Sequence, residues 1–297
     1  MTTRPMILHE LQRGKKRTMR NGKTMQKTIV YVLLILLALV FLFPFFWIIS
    51  TSLMTTAEQE SLPLTWWPKH LQWHNYVVAW TTLPFGQYLW HTVIIVVFST
   101  LGTMLSSVFC AYGFARIRFP GRNILFMFVL STMMLPGVVT MIPIYLIMKD
   151  LGWLNTYYPM IVPAFFGGGA ANIFLLRQFM MGLPVELEEA ARIDGASRFT
   201  TFTRIFLPLM KPALAVVGWG AALAAWGDIM GPLIYLTDQS KSTFALGMDI
   251  FSTAMPTGWG SQLEMAIAAV AILPVLVGFF FIQRWLIEGI NLTGVAR

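Results

Sequence analysis

Six apolar stretches, each close to 20 residues or longer, set the terms on which this chain can fold. They run from Ile29 to Leu53, about Tyr88 to Ala115, Ile124 to Met148, Tyr157 to Leu176, Pro212 to Leu236 and Met265 to Ile282. At ~1.5 Å rise per residue, about 20 residues cross the ~30 Å hydrocarbon core of a bilayer. No water is present there to satisfy backbone N–H and C=O groups, so each crossing must be a helix. The period-two alternation of a membrane β-barrel is absent. The expected fold class is an all-α polytopic membrane protein with six transmembrane helices. Only 11% of the residues are charged, against ~25% in soluble domains.

Lysine and arginine give the orientation, because they collect on the cytoplasmic side of a membrane protein. With six crossings, both termini and the second and fourth loops share one side. That side holds 18 of the 21 basic residues; the other holds Lys69, Lys149 and Lys241. The expectation is a multi-pass inner or plasma membrane protein with cytoplasmic N- and C-termini. It divides into a basic tail over residues 1–28 and a six-helix transmembrane domain over 29–297. Loops 54–87 and 237–264 are then extracytoplasmic, and loop 177–211 is cytoplasmic. The tail reads as an anchor near anionic lipid rather than a nucleic-acid arm. The apolar run after it is too long for a signal peptide.

The residue inventory excludes several chemistries. The single cysteine, Cys110, forbids an internal disulfide, and no Cys/His zinc spacing occurs. His70 and His74 lie at i, i+4 without a third ligand nearby, so no metal site is expected. His91 is the one histidine in a span, at its edge, which speaks against a Ser/His hydrolase at membrane depth. Asn21-Gly22-Lys23-Thr24 resembles the tail of a phosphate loop, but position 17 is Arg rather than Gly and no strand precedes it. The chain is not expected to hydrolyse a nucleotide. Asn291-Leu292-Thr293 is a sequon on the cytoplasmic side and carries no meaning there.

Two spans contain irregularities. The fourth holds Pro159, Pro163 and Gly167-Gly168-Gly169. Such breaks survive at membrane depth only against protein or a water-filled cavity. They read either as close helix packing through small residues or as a flexible element beside a path. The fifth carries Asp228, the only ionisable residue well inside a span. An acid at that depth is a functional candidate by default, or else a structural group beside the Gly227/Gly231/Pro232 break. Trp226, Asp228 and Tyr235 are the candidates for a translocation path.

The fourth loop gathers four of the 13 acidic residues, Glu186, Glu188, Glu189 and Asp194, within nine positions. Pro184 can start a helix there, and the glutamates suit its N-terminal end. Leu187, Ala190, Ala191 and Asp194 recur at i, i+3, i+4, i+7 and form one narrow face. Asp194-Gly195 signals a turn. Ser197 can cap a second helix that ends near Pro208 and leads into the fifth span. No nucleophile, histidine or metal ligand lies nearby, so a catalytic carboxylate cluster is disfavoured. A solvated face and a protein-docking surface both remain.

Glu189-Ala190-Ala191, three residues, Gly195, nine residues, then Ile205-Phe206-Leu207-Pro208 resembles the signature of ABC-importer permeases. With LPVELEEAARIDGAS and WGDIMGPLIYLT the chain is similar to the carbohydrate-uptake branch, MalG-type, over about residues 25–297. The resemblance implies a type I importer permease fold and a heteromeric complex. Its other parts would be a second homologous permease, two ATPase subunits and an extracytoplasmic solute-binding protein. This chain would bind no cofactor, and ATP and magnesium would be used by the ATPases. The 186–195 segment would be the coupling helix, with Glu188, Glu189, Ala190, Ala191, Asp194, Gly195, Ile205, Leu207 and Pro208 as docking residues. By position, the tip of loop five, with Ser252, Met255, Pro256 and Trp259, would meet the binding protein. The cargo would be a sugar or oligosaccharide. A stand-alone secondary transporter would need internal repeats and more ionisable groups inside the membrane, and neither is visible.

Overall fold

A computed structural model describes the backbone of residues 4–254 and 261–294, with side chains over 25–253 and 261–286. The described residues contain helices and no strand. In chain order the α-helices are α1 (Arg4–Ser52), α2 (Thr56–Gln59), α3 (His74–Thr82), α4 (Phe85–Arg116), α5 (Arg122–Ser131), α6 (Gly137–Asp150), α7 (Tyr158–Ile161) and α8 (Ala170–Met181). They continue with α9 (Glu186–Ile193), α10 (Arg198–Thr201), α11 (Leu207–Leu209), α12 (Lys211–Trp226), α13 (Met230–Tyr235), α14 (Phe244–Ala254) and α15 (Ser261–Gly294).

Among the described residues four segments are long and apolar enough to cross a membrane unaided: Met25–Ser52, Phe85–Arg116, Tyr158–Met181 and Ser261–Leu286. The other two expected crossings are present but broken. The stretch Ile124–Met148, expected as one helix, bends by 101° between a short 3₁₀ turn ending at Met134 and α6. Pro136 explains the break, since proline offers no N–H and drives the residue before it out of helical geometry. The fifth crossing, expected over Pro212–Leu236 with a break around Gly227, Gly231 and Pro232, stops at Trp226 and resumes at Met230. The fourth runs five residues past its expected end, to Met181. Loop five is not wholly a loop: α14 occupies Phe244–Ala254, and α15 starts at Ser261 rather than 265. Likewise α4 starts at Phe85 rather than 88.

Helix α4 is the central column, packed against α8 and α12, while α1 lies along α15. Two apolar cores sit on α4. One joins Val108, Ala111 and Tyr112 of α4 to Leu176 and Met180 of α8, Ala213 and Val217 of α12, and Phe202, Phe206 and Met210 from loop four. The other joins Phe85 and Tyr88 of α4 to Ala79 of α3, Phe244 and Phe251 of α14, and Leu263, Ala266 and Ile267 of α15. The membrane-length part of α1, by contrast, is exposed along most of its length, as a lipid-facing helix is.

The broken fourth crossing packs tightly on α4 at Gly168 and Phe165. A Cβ at Gly168 (φ +60°) would stand 2.7 Å from the Ser107 backbone nitrogen, and one at Gly102 would stand 2.6 Å from the Phe165 ring. Ser106 Oγ donates to Ala164 O at 2.7 Å, capturing a carbonyl that the break leaves unpaired. Close packing through small residues thus explains Gly168, but not Gly167, where a Cβ would meet nothing within 4 Å.

Candidate functional site

Loop four folds as two helices joined by a turn, and its chemistry follows from that turn. Helix α9 carries Glu186, Glu188 and Glu189 in its first turn, where unpaired N–H groups favour negative charge. Pro184 lies before this helix rather than inside its first turn. At its C-terminus Ala196 N–H bonds to Ala191 O (2.9 Å) and Gly195 N–H to Arg192 O (3.1 Å). This paired closure needs a left-handed residue between them, and Gly195 supplies it with φ +76°. The space around Gly195 is open. The demand on this position is therefore conformational, not one of volume. Ser197 caps the next helix, its Oγ accepting from Thr200 N–H at 3.1 Å.

The second helix is not one smooth rod ending at Pro208. Helix α10 widens into a π turn over Phe202–Phe206 and closes as α11, with Pro208 inside the last turn. The chain then turns by 75° at Met210 into α12. Phe202, Phe206 and Met210 are buried in the core at this end, each worth about 1.5–3 kcal/mol of burial. So the fifth crossing is joined to loop four by a packed elbow rather than by a continuous helix.

The expected docking residues divide by exposure. Glu189, Ala190, Asp194, Gly195 and Pro208 are exposed, Ala191 is buried, and Ile205 and Leu207 are half-buried. Leu207 packs against the core. The four-residue face expected from spacing is therefore not one surface, since Ala191 points inward while Ala190 and Asp194 point out. Ile193 is 87% exposed, and Val185 and Phe199 also stand in the open.

Glu188 points back into the chain. Its Oε2 lies 3.8 Å from Arg116 Nη1 at the end of α4. Arg116 Nη2 donates to Met180 O (2.6 Å) in the last turn of α8 and to Leu183 O (2.8 Å) just beyond it. Its guanidinium also lies 4.7 Å from the Phe206 ring centroid. One turn earlier, Tyr112 OH donates to Arg198 O at 3.2 Å, and its ring packs 4.8 Å from Phe202. Sequence reasoning counted Arg116 only as a positive-inside charge. The i, i+4 pair Tyr112–Arg116 at the end of a span was the signal that could have found it.

An open groove of ≈ 970 Å³ runs along α4, the broken fourth crossing and α12. Its lining includes Ser99, Thr103, Thr132, Asn172 and Asp228, and contains no Lys or Arg. Asp228 sits at the break after α12, where its Oδ1 accepts Gly231 N–H at 3.0 Å. The other two path candidates do not join it. Trp226 stacks 6.1 Å from Phe244 and lines a separate pocket of ≈ 500 Å³ with Asp249, Ser252 and Glu264. Tyr235 is buried and stacked 6.2 Å from Tyr145. In loop five, Ser252 is exposed on α14, whereas Met255, Pro256 and Trp259 lie outside the described residues. Among the described residues no group of three His, Cys, Asp or Glu side chains could hold a metal ion.

Residues 104–291 match the family described as the binding-protein-dependent transport system inner membrane component. The chain is 33% identical over 263 residues to the arabinooligosaccharides transport system permease protein AraQ of Bacillus subtilis (strain 168), covering 88% of this chain and 92% of that one. It is 31% identical over 270 residues to the trehalose/maltose transport system permease protein MalG of Thermococcus litoralis, covering 91% and 96%. Its fold matches a chain of the crystal structure of a bacterial ABC transporter that imports the acidic polysaccharide alginate. The TM-score is 0.76 at 23% identity, over 89% of this chain and 98% of that one.

Proposed function

This chain belongs to the family of binding-protein-dependent transport system inner membrane components, and from that premise we propose how it works. It is the permease subunit of an ATP-driven importer. With a second, homologous permease it forms the translocation path, and α9 seats on one of two separate ATPase subunits. The chain has no phosphate loop of its own, so hydrolysis belongs to those partners. Loop four and both termini face the cytoplasm, in keeping with 18 of 21 basic residues on that side. Loop five, with Ser252, Met255, Pro256 and Trp259, meets an extracytoplasmic binding protein.

The observation that carries this reading is α9 itself. Its turn is closed by Gly195, its outward side offers Glu189, Ala190 and Asp194, and Ile193 stands exposed at its end. An apolar anchor rimmed by carboxylates suits a cleft with arginine or lysine at its edge. ATP-driven closure of the ATPases moves α9, and the packed elbow at Met210 passes the motion to α12. Two discrete arrangements of such a rigid element are what coupling requires.

The cargo is a neutral sugar or oligosaccharide. AraQ and MalG are named for such substrates. The groove supports the choice, since Ser99, Thr103, Thr132, Asn172 and Asp228 can exchange hydrogen bonds with hydroxyl groups. It offers no lysine or arginine to a phosphate or carboxylate. Asp228 is the path residue in this reading.

The test is mass spectrometry of what co-purifies with the tagged chain from gently solubilised native membranes. An ATPase, a second permease and a binding protein are expected. Glu189→Lys should release the ATPase while the chain still inserts. Recovery of the chain alone, or only with copies of itself, overturns the reading.

A further inference from the structure

We propose that Arg116 is a positioning residue that ties the movement of α9 to the membrane helices, acting through Glu188 and the end of α8. The inference rests on the reading of α9 as the ATPase-docking helix. The Arg116 side chain is only 7% exposed, although it ends a span at the loop-four face. It meets three separate pieces of the chain at once. Two hydrogen bonds hold Met180 O and Leu183 O at the end of α8. The charge faces Glu188 on α9. The guanidinium lies over Phe206 in the π turn. Tyr112, four residues earlier on the same helix, adds a fourth tie by donating to Arg198 O.

Among the described residues Arg116 is the one cation with a carboxylate within 4.0 Å. Glu186, Glu189 and Asp194 have no such partner. The acids of α9 therefore have two roles. Glu188, 34% exposed, faces inward to Arg116, and Glu189 is left for a partner. The carbonyls at a helix C-terminus carry partial negative charge, so the guanidinium is held from both sides by charge-assisted contacts. Lysine replaces it only in part, because a single ammonium keeps the charge but lacks the planar fork that reaches two carbonyls while lying on a ring. When the ATPase moves α9, this clasp makes α4 and α8 follow, and those helices line the groove.

Cys110, the single cysteine, lines that groove on α4 and serves as the reporter. The complex that co-purifies with the wild-type chain is treated with N-ethylmaleimide, with and without ATP plus vanadate, and alkylation of this chain is timed. The wild-type rate should change with nucleotide. In Arg116→Gln the ATPase should remain bound and hydrolyse ATP, while the nucleotide response of Cys110 shrinks at least about fivefold. Arg116→Lys should restore part of it. A merely structural residue would lower the yield of complex without separating hydrolysis from the Cys110 response. Should Arg116→Gln fail to insert, Arg116→Lys and Glu188→Gln carry the test, each with a reduced response. A full wild-type response in the variants that insert, or a wild-type rate indifferent to nucleotide, overturns the proposal. Absence of any ATPase from the wild-type preparation would instead remove the docking reading on which it rests.

Discussion

At the end opposite loop four, polar groups close on one another. Asn155 N–H donates to Tyr235 O (2.7 Å), Asn155 Oδ1 accepts Asp238 N–H (3.2 Å), and Lys241 Nζ donates to Asn155 O (2.9 Å). Thr92 Oγ1 accepts Phe244 N–H at 2.8 Å, and Tyr157 OH donates to Lys241 O at 3.3 Å. At the loop-four end the same chain leaves Ile193, Phe199 and Val185 exposed, with Glu189 free of any cation. Both ends have a packed core on α4. The difference lies in what each core supports. Around Asn155 the first end closes its polar groups within the chain; the other is braced from within by Arg116 and leaves the outward side of α9 uncovered.

That contrast can be broken in five ways. The largest effect is expected from Gly195→Val. A β-branched residue cannot hold φ +76°, so α9 loses its closure; co-purification of the ATPase should fall to background, read by quantitative mass spectrometry. Ile193→Asp leaves the backbone intact and removes the exposed anchor, so ATPase recovery should drop about tenfold. Gly168→Ala drives a methyl group toward Ser107 and should destabilise the chain by about 1–3 kcal/mol, seen as a lower thermal aggregation midpoint. Asn155→Ala strips the opposite end of one acceptor and places alanine at φ 57°. It should cost about 1–2 kcal/mol in the same assay, with ATPase recovery unchanged. Loss of the ATPase there would erase the distinction between the ends.

The smallest effect concerns Glu58. Its carboxylate accepts Thr55 N–H and Lys69 N–H, and these bonds hold its pKa below the ordinary 4.5. A depressed folded pKa means that the stabilisation is present above about 4.5 and is lost as pH falls through the lower folded value. Amide exchange at Lys69 should stay protected at neutral pH and lose protection in acid, with no change in α9. Equal protection at all pH values would contradict it.

Much of this was legible in the sequence, for reasons that differ by element. The crossings were visible because bilayer thickness imposes a length and lipid imposes polarity. The α9 turn was visible because a left-handed residue at a helix end selects glycine, and Ser197 was visible as a cap. The bend at Pro136 and the elbow at Met210 were not, whereas Gly227, Gly231 and Pro232 did mark the break after Trp226. Hydropathy sums composition over a window and is blind to where the backbone stops being helical. The inward role of Glu188 was hidden because its partner lies 72 positions earlier in the chain. Trp226 and Tyr235 looked like path residues by proximity to Asp228, yet their rings pack against Phe244 and Tyr145.

The claim at the centre of this account is that the exposed end of α9 seats on an ATPase. Ile193→Cys in a Cys110→Ser background places a single thiol at that spot. A short bifunctional maleimide–amine reagent applied to native membranes should then give one dominant adduct containing a nucleotide-hydrolysing subunit. Adducts only with lipid-exposed permease chains, or none while the complex remains assembled, would contradict it.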